Sequence, residues 1–210
     1  MKASNAEADD FFGGSVAISG NTVVVGASGE DSNQTTITNS INTASANDSA
    51  FSAGAVYVFS RVAVIVGALG SSWIQEAYLK APNAEAADHF GHSVAVSGDT
   101  VAVGVFGEDS NQTTITNSNN TASANNSAVN SGAVYIFRRI NFDWVQDAYL
   151  KAPNAEASDH FGDSVAVSGD TVAVGASYED SDQTTITNGA TASADNSADN
   201  SGAVYIFVRQ

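Results

Sequence analysis

A chain of 210 residues with 43% hydrophobic content has material for one large all-β domain or two small ones, and is too apolar to be disordered. Its 23 Asp plus Glu stand against 7 Lys plus Arg, a formal net charge of -16, the wrong sign for gripping a phosphate backbone, so nucleic acid is not an expected partner. With no cysteine there is neither a disulfide framework nor a thiolate metal site, and stability must come from packing.

The chain opens on MKASNAEADD, one lysine among acidic and polar residues, without the apolar core of a signal peptide. Phe12-Gly13 follows, and the same pair returns at Phe90-Gly91 and Phe161-Gly162, spacings of 78 and 71. GAVY recurs from Gly54, Gly132 and Gly202, and WIQEAYLKAPNAEA from Trp73 is repeated 71 residues on as WVQDAYLKAPNAEA from Trp144. A unit of about 70 residues is therefore present three times, with blade-sized boundaries near 3–80, 81–151 and 152–210. From Ala81 to Asn117 against Ala152 to Asn188 there are 6 differences in 37 positions, a mark of recent duplication.

Each unit predicts four short strands. FGDSVAVSG in the third copy alternates, with Phe161, Val165 and Val167 on one face. Gly169-Asp170, like Gly20-Asn21 and Gly98-Asp99, is a two-residue hairpin loop of type II′ or I′. TVAVGA then carries apolar or small residues on both faces, as expected of a strand sandwiched between neighbouring sheets. A polar stretch such as GEDSNQTTITNSNNTASANNSAVNS follows, far longer than a hairpin loop and expected to protrude. GAVYIF is the third strand and WVQDAYL the fourth, with Pro82 and Pro153 placed to end the outer strand. SRVAVIVGALGSS carries a seven-residue insertion between the third and fourth strands of the first copy; its apolar run Val62 to Leu69 is too short to cross a bilayer and reads as a buried strand. Four antiparallel strands per repeat with small residues on the inner pair describe an all-β propeller blade.

Phe-Gly followed by SVA, then VAVGA, then GAVYIF resembles the FG-GAP repeat of integrin α-subunit β-propellers, and especially the bacterial extracellular type with a W-x-Q-x-x-Y-L outer strand. The resemblance implies an extracellular or cell-surface propeller used for adhesion, with a protein or glycan ligand on a cell surface or matrix, no membrane insertion, and calcium in some blades. The D-x-D-x-D-G cation loop of integrin-type repeats has no counterpart here, because the tight Gly-Asn and Gly-Asp turns occupy its position. Met1 to Ala8 aligns with Leu79 to Ala86, and the third repeat stops before the next W-x-Q-x-x-Y-L would fall due, so the third blade is expected to lack its outer strand. Two expectations follow: a segment of a longer propeller, or self-association through open blade edges. A structural assembly protein without a small-molecule ligand is the alternative function.

Several residues could carry chemistry. The acidic pairs Glu30-Asp31, Glu108-Asp109 and Glu179-Asp180 could gather calcium, a hard cation that takes six to eight oxygens; equally, Asp and Ser there could form the turns that open the long loop. Asp9, Asp88 and Asp159, with Glu7, Glu85 and Glu156 nearby, could place carboxylates on a rim or cap the turn before Phe-Gly. His89 and His160 share one repeat position, held by Phe11 in the first copy, while His92 is matched by Gly14 and Asp163; surface or packing roles suit them better than zinc. Trp73, Trp144, Tyr78 and Tyr149 could stack on sugars but sit where blades pack. Asn33, Asn47, Asn111, Asn119 and Asn125 form glycosylation sequons. No nucleophile, metalloprotease or phosphate-loop motif is present, so no enzyme is expected.

Overall fold

The computed structural model describes residues 1–64, 70–118, 121–189 and 191–209. Their eleven strands form three antiparallel sheets, each strand paired with its sequence neighbour. The first sheet holds β1 (Ser15–Ser19), β2 (Thr22–Ala27), β3 (Ala55–Val64) and β4 (Gly70–Leu79). The second holds β5 (Ser93–Ser97), β6 (Thr100–Val105), β7 (Ala133–Ile140) and β8 (Asp143–Leu150). The third holds β9 (Phe161–Ser168), β10 (Thr171–Ala176) and β11 (Ala203–Val208), with three strands among the described residues.

The tight turns set the register. Gly20, Gly98 and Gly169 have φ near 57° and are followed by residues of negative φ, the type II′ pattern that closes Ser19↔Thr22 and its equivalents. At the outer pair, β3 against β4 skips from Val58↔Ala77 to Phe59↔Gln75, and β7 against β8 skips from Ile136↔Ala148 to Phe137↔Gln146. The extra residues of these bulges are Glu76 and Asp147, re-aimed toward the next blade as bulges do. Glu76 there accepts from the Trp144 indole at 2.7 Å and pairs with Arg139 at 3.3 Å. The seven-residue insertion lengthens β3 and β4 into a hairpin paired as far as Val64↔Gly70; residues 65–69 of the apolar run lie outside the described part.

The sheets stack face to face; two core clusters lie in the joints, and a third, with Val23, Val25, Tyr57 and Phe59 packed against Phe12 and Trp73, lies on the other face of the first sheet. One cluster joins Val24, Val56 and Val58 to Phe90, Val103 and Tyr135; a second joins Val134, Ile136 and Ala102 to Phe161, Val172 and Val174. Small residues permit the approach: a Cβ on Gly26 would collide with the Gly91 carbonyl, and one on Gly104 with the Gly162 carbonyl. The expected two-sided burial of the second strand is met in β2 and β6, while β10 alternates because the far face of the third sheet is open. Val204 and Ile206 are 70% and 60% exposed there, whereas their equivalents Val134 and Ile136 are 0% and 7%.

The long polar stretches do not simply protrude. Thr38 forms an antiparallel bridge with Tyr78, and Thr116 with Tyr149, so each stretch runs back along the outer strand of its own blade. Gln34 reads the fold of its own loop, donating to the Thr36 carbonyl and to Thr38 Oγ1. Asn39 then clamps the backbone of Trp144 in the next blade, accepting from its amide at 2.8 Å and donating to its carbonyl at 2.9 Å. The repeated word is thus stitching between strands and between blades.

Candidate ligand-binding rim

The Phe-Gly turns and the starts of the long loops meet at one end of the sheets. Here the two residues of each acidic pair part company. Glu30 is buried: its carboxylate accepts from the Tyr78 hydroxyl at 2.8 Å, Asn5 at 3.0 Å, the Ser32 amide at 3.1 Å and the Lys80 ammonium at 3.2 Å. Glu108 repeats this with Asn83, Ser110 and Lys151, the last at 2.9 Å. Burial pulls the lysine ammonium groups of Lys80 and Lys151 below their ordinary value, and the facing glutamates oppose that shift. Asp31, Asp109 and Asp180 turn elsewhere, accepting from the amides of Ser52, Asn130 and Asn200 and so closing the base of each loop. Glu179 has Asn154 and the Ser181 amide as partners, and no cation among the described residues.

The second acidic set is a turn cap. Asp10, Asp88 and Asp159 each accept from the amide three residues before, that of Glu7, Glu85 and Glu156, at 2.7 to 2.8 Å. Asp10, and not Asp9, is therefore the first-blade equivalent; Asp9 occupies the place of Ala87 and Ser158, all three at positive φ of 63° to 70°. Burial, with Glu108 and Glu85 adding repulsion, pushes the Asp88 carboxyl up to about 8. Asp159, in the sheet with an open face, is pushed up to about 6, again chiefly by burial.

All three histidines lie in one row of rings. His89 stacks on Phe106 with centroids 5.0 Å apart and planes 8° from parallel, and its Nδ1 lies 3.3 Å from the Ser28 carbonyl. His92 meets the same phenyl ring edge-on at 4.6 Å. Phe106 continues to His160 at 5.2 Å, and His160 to Tyr178 at 4.5 Å. His92 also faces Asp163, its own repeat equivalent, at 3.8 Å across the joint. Tyr178 is 47% exposed, and Phe11, at the His89 position of the first blade, is 66% exposed.

Sequence reasoning placed the histidines on a surface or in packing and missed the row, because Phe106 and Tyr178 are not repeat equivalents. Phe106 corresponds to Ser28 and Ser177, and Tyr178 to Gly29 and Gly107. The signal was present in the copies: of the 6 differences between them, His92/Asp163, Phe106/Ser177 and Gly107/Tyr178 all fall on this row. By contrast Trp144, Tyr78 and Tyr149 are fully buried, which gives them packing roles. Asn47 and Asn125 sit in exposed loop tips, each accepting from a serine two residues on; Asn33 and Asn111 are exposed, and Asn119 lies outside the described residues.

Three stacked antiparallel sheets joined by a repeated turn, with one rim carrying the loops, define a module of the β-propeller type. The chain belongs to the FG-GAP repeat family, whose model matches residues 1–40, 73–137 and 144–207. No curated protein matches the chain.

Proposed function

We propose that this FG-GAP module is an extracellular binding or adhesion domain that holds a glycan or protein ligand against the ring row His89–Phe106–His160–Tyr178. The observation that carries the reading is the convergence of copy differences there. The scaffold word EDSNQTTITN is kept but for Asp182 in the third copy, while three of the six differing positions bring exposed and half-buried rings together across one joint. Flat π-faces in a row suit the apolar face of a sugar ring or an aromatic or aliphatic side chain. FG-GAP repeats are typical of extracellular proteins and are generally non-enzymatic, which supports binding over catalysis. No helix among the described residues is long and apolar enough to cross a membrane.

Calcium has a secondary place in this reading. Among the described residues no group of three or more His, Asp or Glu could hold a metal ion, and the lysine ammonium already neutralises Glu30 and Glu108. Thermal midpoints in millimolar calcium and in chelator are expected to agree. A rise with calcium that Asp109→Asn and Asp180→Asn abolish would instead make the module calcium-stabilised.

The binding reading is tested on glycan and matrix-protein arrays with the chain and its Phe106→Ser, Tyr178→Gly double variant. These substitutions install residues the repeat already uses at those positions, so the fold should persist. Loss of the captured ligand is expected; capture unaffected by the double variant would overturn the reading.

A further inference from the structure

The open face of the third sheet and the free Phe-Gly turn of the first are the two halves of a joint that occurs twice inside the chain. Across the first joint, the amides of Ala87, His89 and Phe90 donate to the carbonyls of Phe51, Ser52 and Ala53. Across the second, those of Ser158, His160 and Phe161 donate to Val129, Asn130 and Ser131. Ser15 Oγ donates to the Gly91 carbonyl and Ser93 Oγ to that of Gly162, both at 2.7 Å. Ser19 Oγ accepts from the Gly98 amide and Ser97 Oγ from that of Gly169. Lys80 and Lys151 close the outer strand of their own blade, ten residues before the Phe-Gly turn of the next, and pair there with Glu30 and Glu108.

We infer that a second copy of this chain completes the third joint, its first blade seated on the third blade of its neighbour. Apart from the outer strand, which packs Leu79 and Leu150 into the two internal joints and has no counterpart among the described residues of the third sheet, the recurring elements of the joint are present on the two faces. The acceptors are the carbonyls of Asp199, Asn200 and Ser201, the hydroxyl pair is Ser164 and Ser168, and the clearance is Gly175, whose Cβ would meet only its own Ser164. The donors are the amides of Asp9, Phe11 and Phe12 on the neighbour. Its turn is already shaped for docking: φ is 63° at Asp9 and 54° at Phe11, against 68° and 59° at Ala87 and His89. Glu179 is the buried carboxylate without a cation among the described residues, and Lys2 stands where Lys80 and Lys151 stand. Val204 and Ile206 would be covered as Val134 and Ile136 are. The contact is head-to-tail, so it either closes into a ring or extends as a chain. It also places Phe11 of the neighbour beside Tyr178, extending the ring row, although the joint itself does not depend on ligand binding.

The test is sedimentation of the 210-residue chain without ligand over a rising concentration series. A mass above the 21.4 kDa of one chain is expected, with one plateau for a ring or continued growth for an open chain. Glu179→Lys and Lys2→Glu should each weaken association about tenfold or more, as removal of one partner of a buried pair does, and the combined charge swap should restore it. Gly175→Ala adds a methyl that displaces only the Ser164 hydroxyl within the chain but would strike the backbone of the docked turn, so it should give a folded monomer by circular dichroism. A monomer throughout the series, or association indifferent to both the charge variants and Gly175→Ala, would overturn the inference.

Discussion

At the residue scale, Glu30, Glu108 and Glu179 occupy one repeat position in two electrostatic settings. Glu108 neutralises the buried Lys151, so Glu108→Gln leaves an uncompensated ammonium and should cost about 3–5 kcal/mol. Glu179→Gln removes no such partner within one chain and should cost about 1 kcal/mol, the worth of weakened hydrogen bonds. Urea unfolding at low protein concentration measures both; equal costs would show that the ion pair contributes nothing beyond its hydrogen bonds. Asn39 and Asn117 form a similar contrast. Asn39 clamps Trp144, and its replacement by alanine should cost about 1–3 kcal/mol because the Trp144 amide and carbonyl lose their partner. Asn117 lines an open cleft of about 690 Å³ beside β11, where no tryptophan is seated, and Asn117→Ala should be close to neutral.

At the scale of elements, the four-strand blade was legible in the sequence because copying displays its first three strands three times and its fourth twice. Alternation in SVAVS, the Gly-Asp turn and the fixed order of FG, GAVY and W-x-Q-x-x-Y-L locate every strand from Ser15 to Val208. The course of the long loops was not legible. Thr, Ser and Asn carry no burial pattern, and what pins them is a bridge to Tyr78 or Tyr149 and a clamp on a tryptophan 105 residues away. The acidic pairs were legible as strand-end carboxylates, but their division into a lysine partner and a loop closer depends on which way adjacent side chains point. The Asp cap was misplaced by one residue in the first blade, because Asp9 and Asp10 are both acidic and their roles differ only in the turn's geometry. The ring row was hidden for a different reason: periodicity highlights equivalent positions, and this feature is built from non-equivalent ones brought together by a joint.

At the scale of the whole molecule, two buried carboxyls add a pH dependence to a chain of formal net charge -16. An acid whose value is raised by folding favours the fold while protonated. Its contribution is complete below the unfolded value of 3.8 and is lost as pH rises through about 8 for Asp88 and about 6 for Asp159. Thermal midpoints should therefore fall between pH 5 and pH 8, and Asp88→Asn should recover on the order of 5 °C of the difference. An unchanged slope in that variant would assign the fall to overall repulsion. The division of labour is then a conserved-in-copy scaffold of buried ion pairs and loop stitching, and one rim where copies diverge into rings. The most direct measurement of that claim is ligand affinity, at a concentration low enough to keep the chain monomeric, for the chain, the Phe106→Ser, Tyr178→Gly double variant, and a Trp73→Phe control far from the row. A loss of about tenfold or more in the double variant with the control unchanged is expected, whereas equal affinity in all three would contradict the assignment of binding to the ring row.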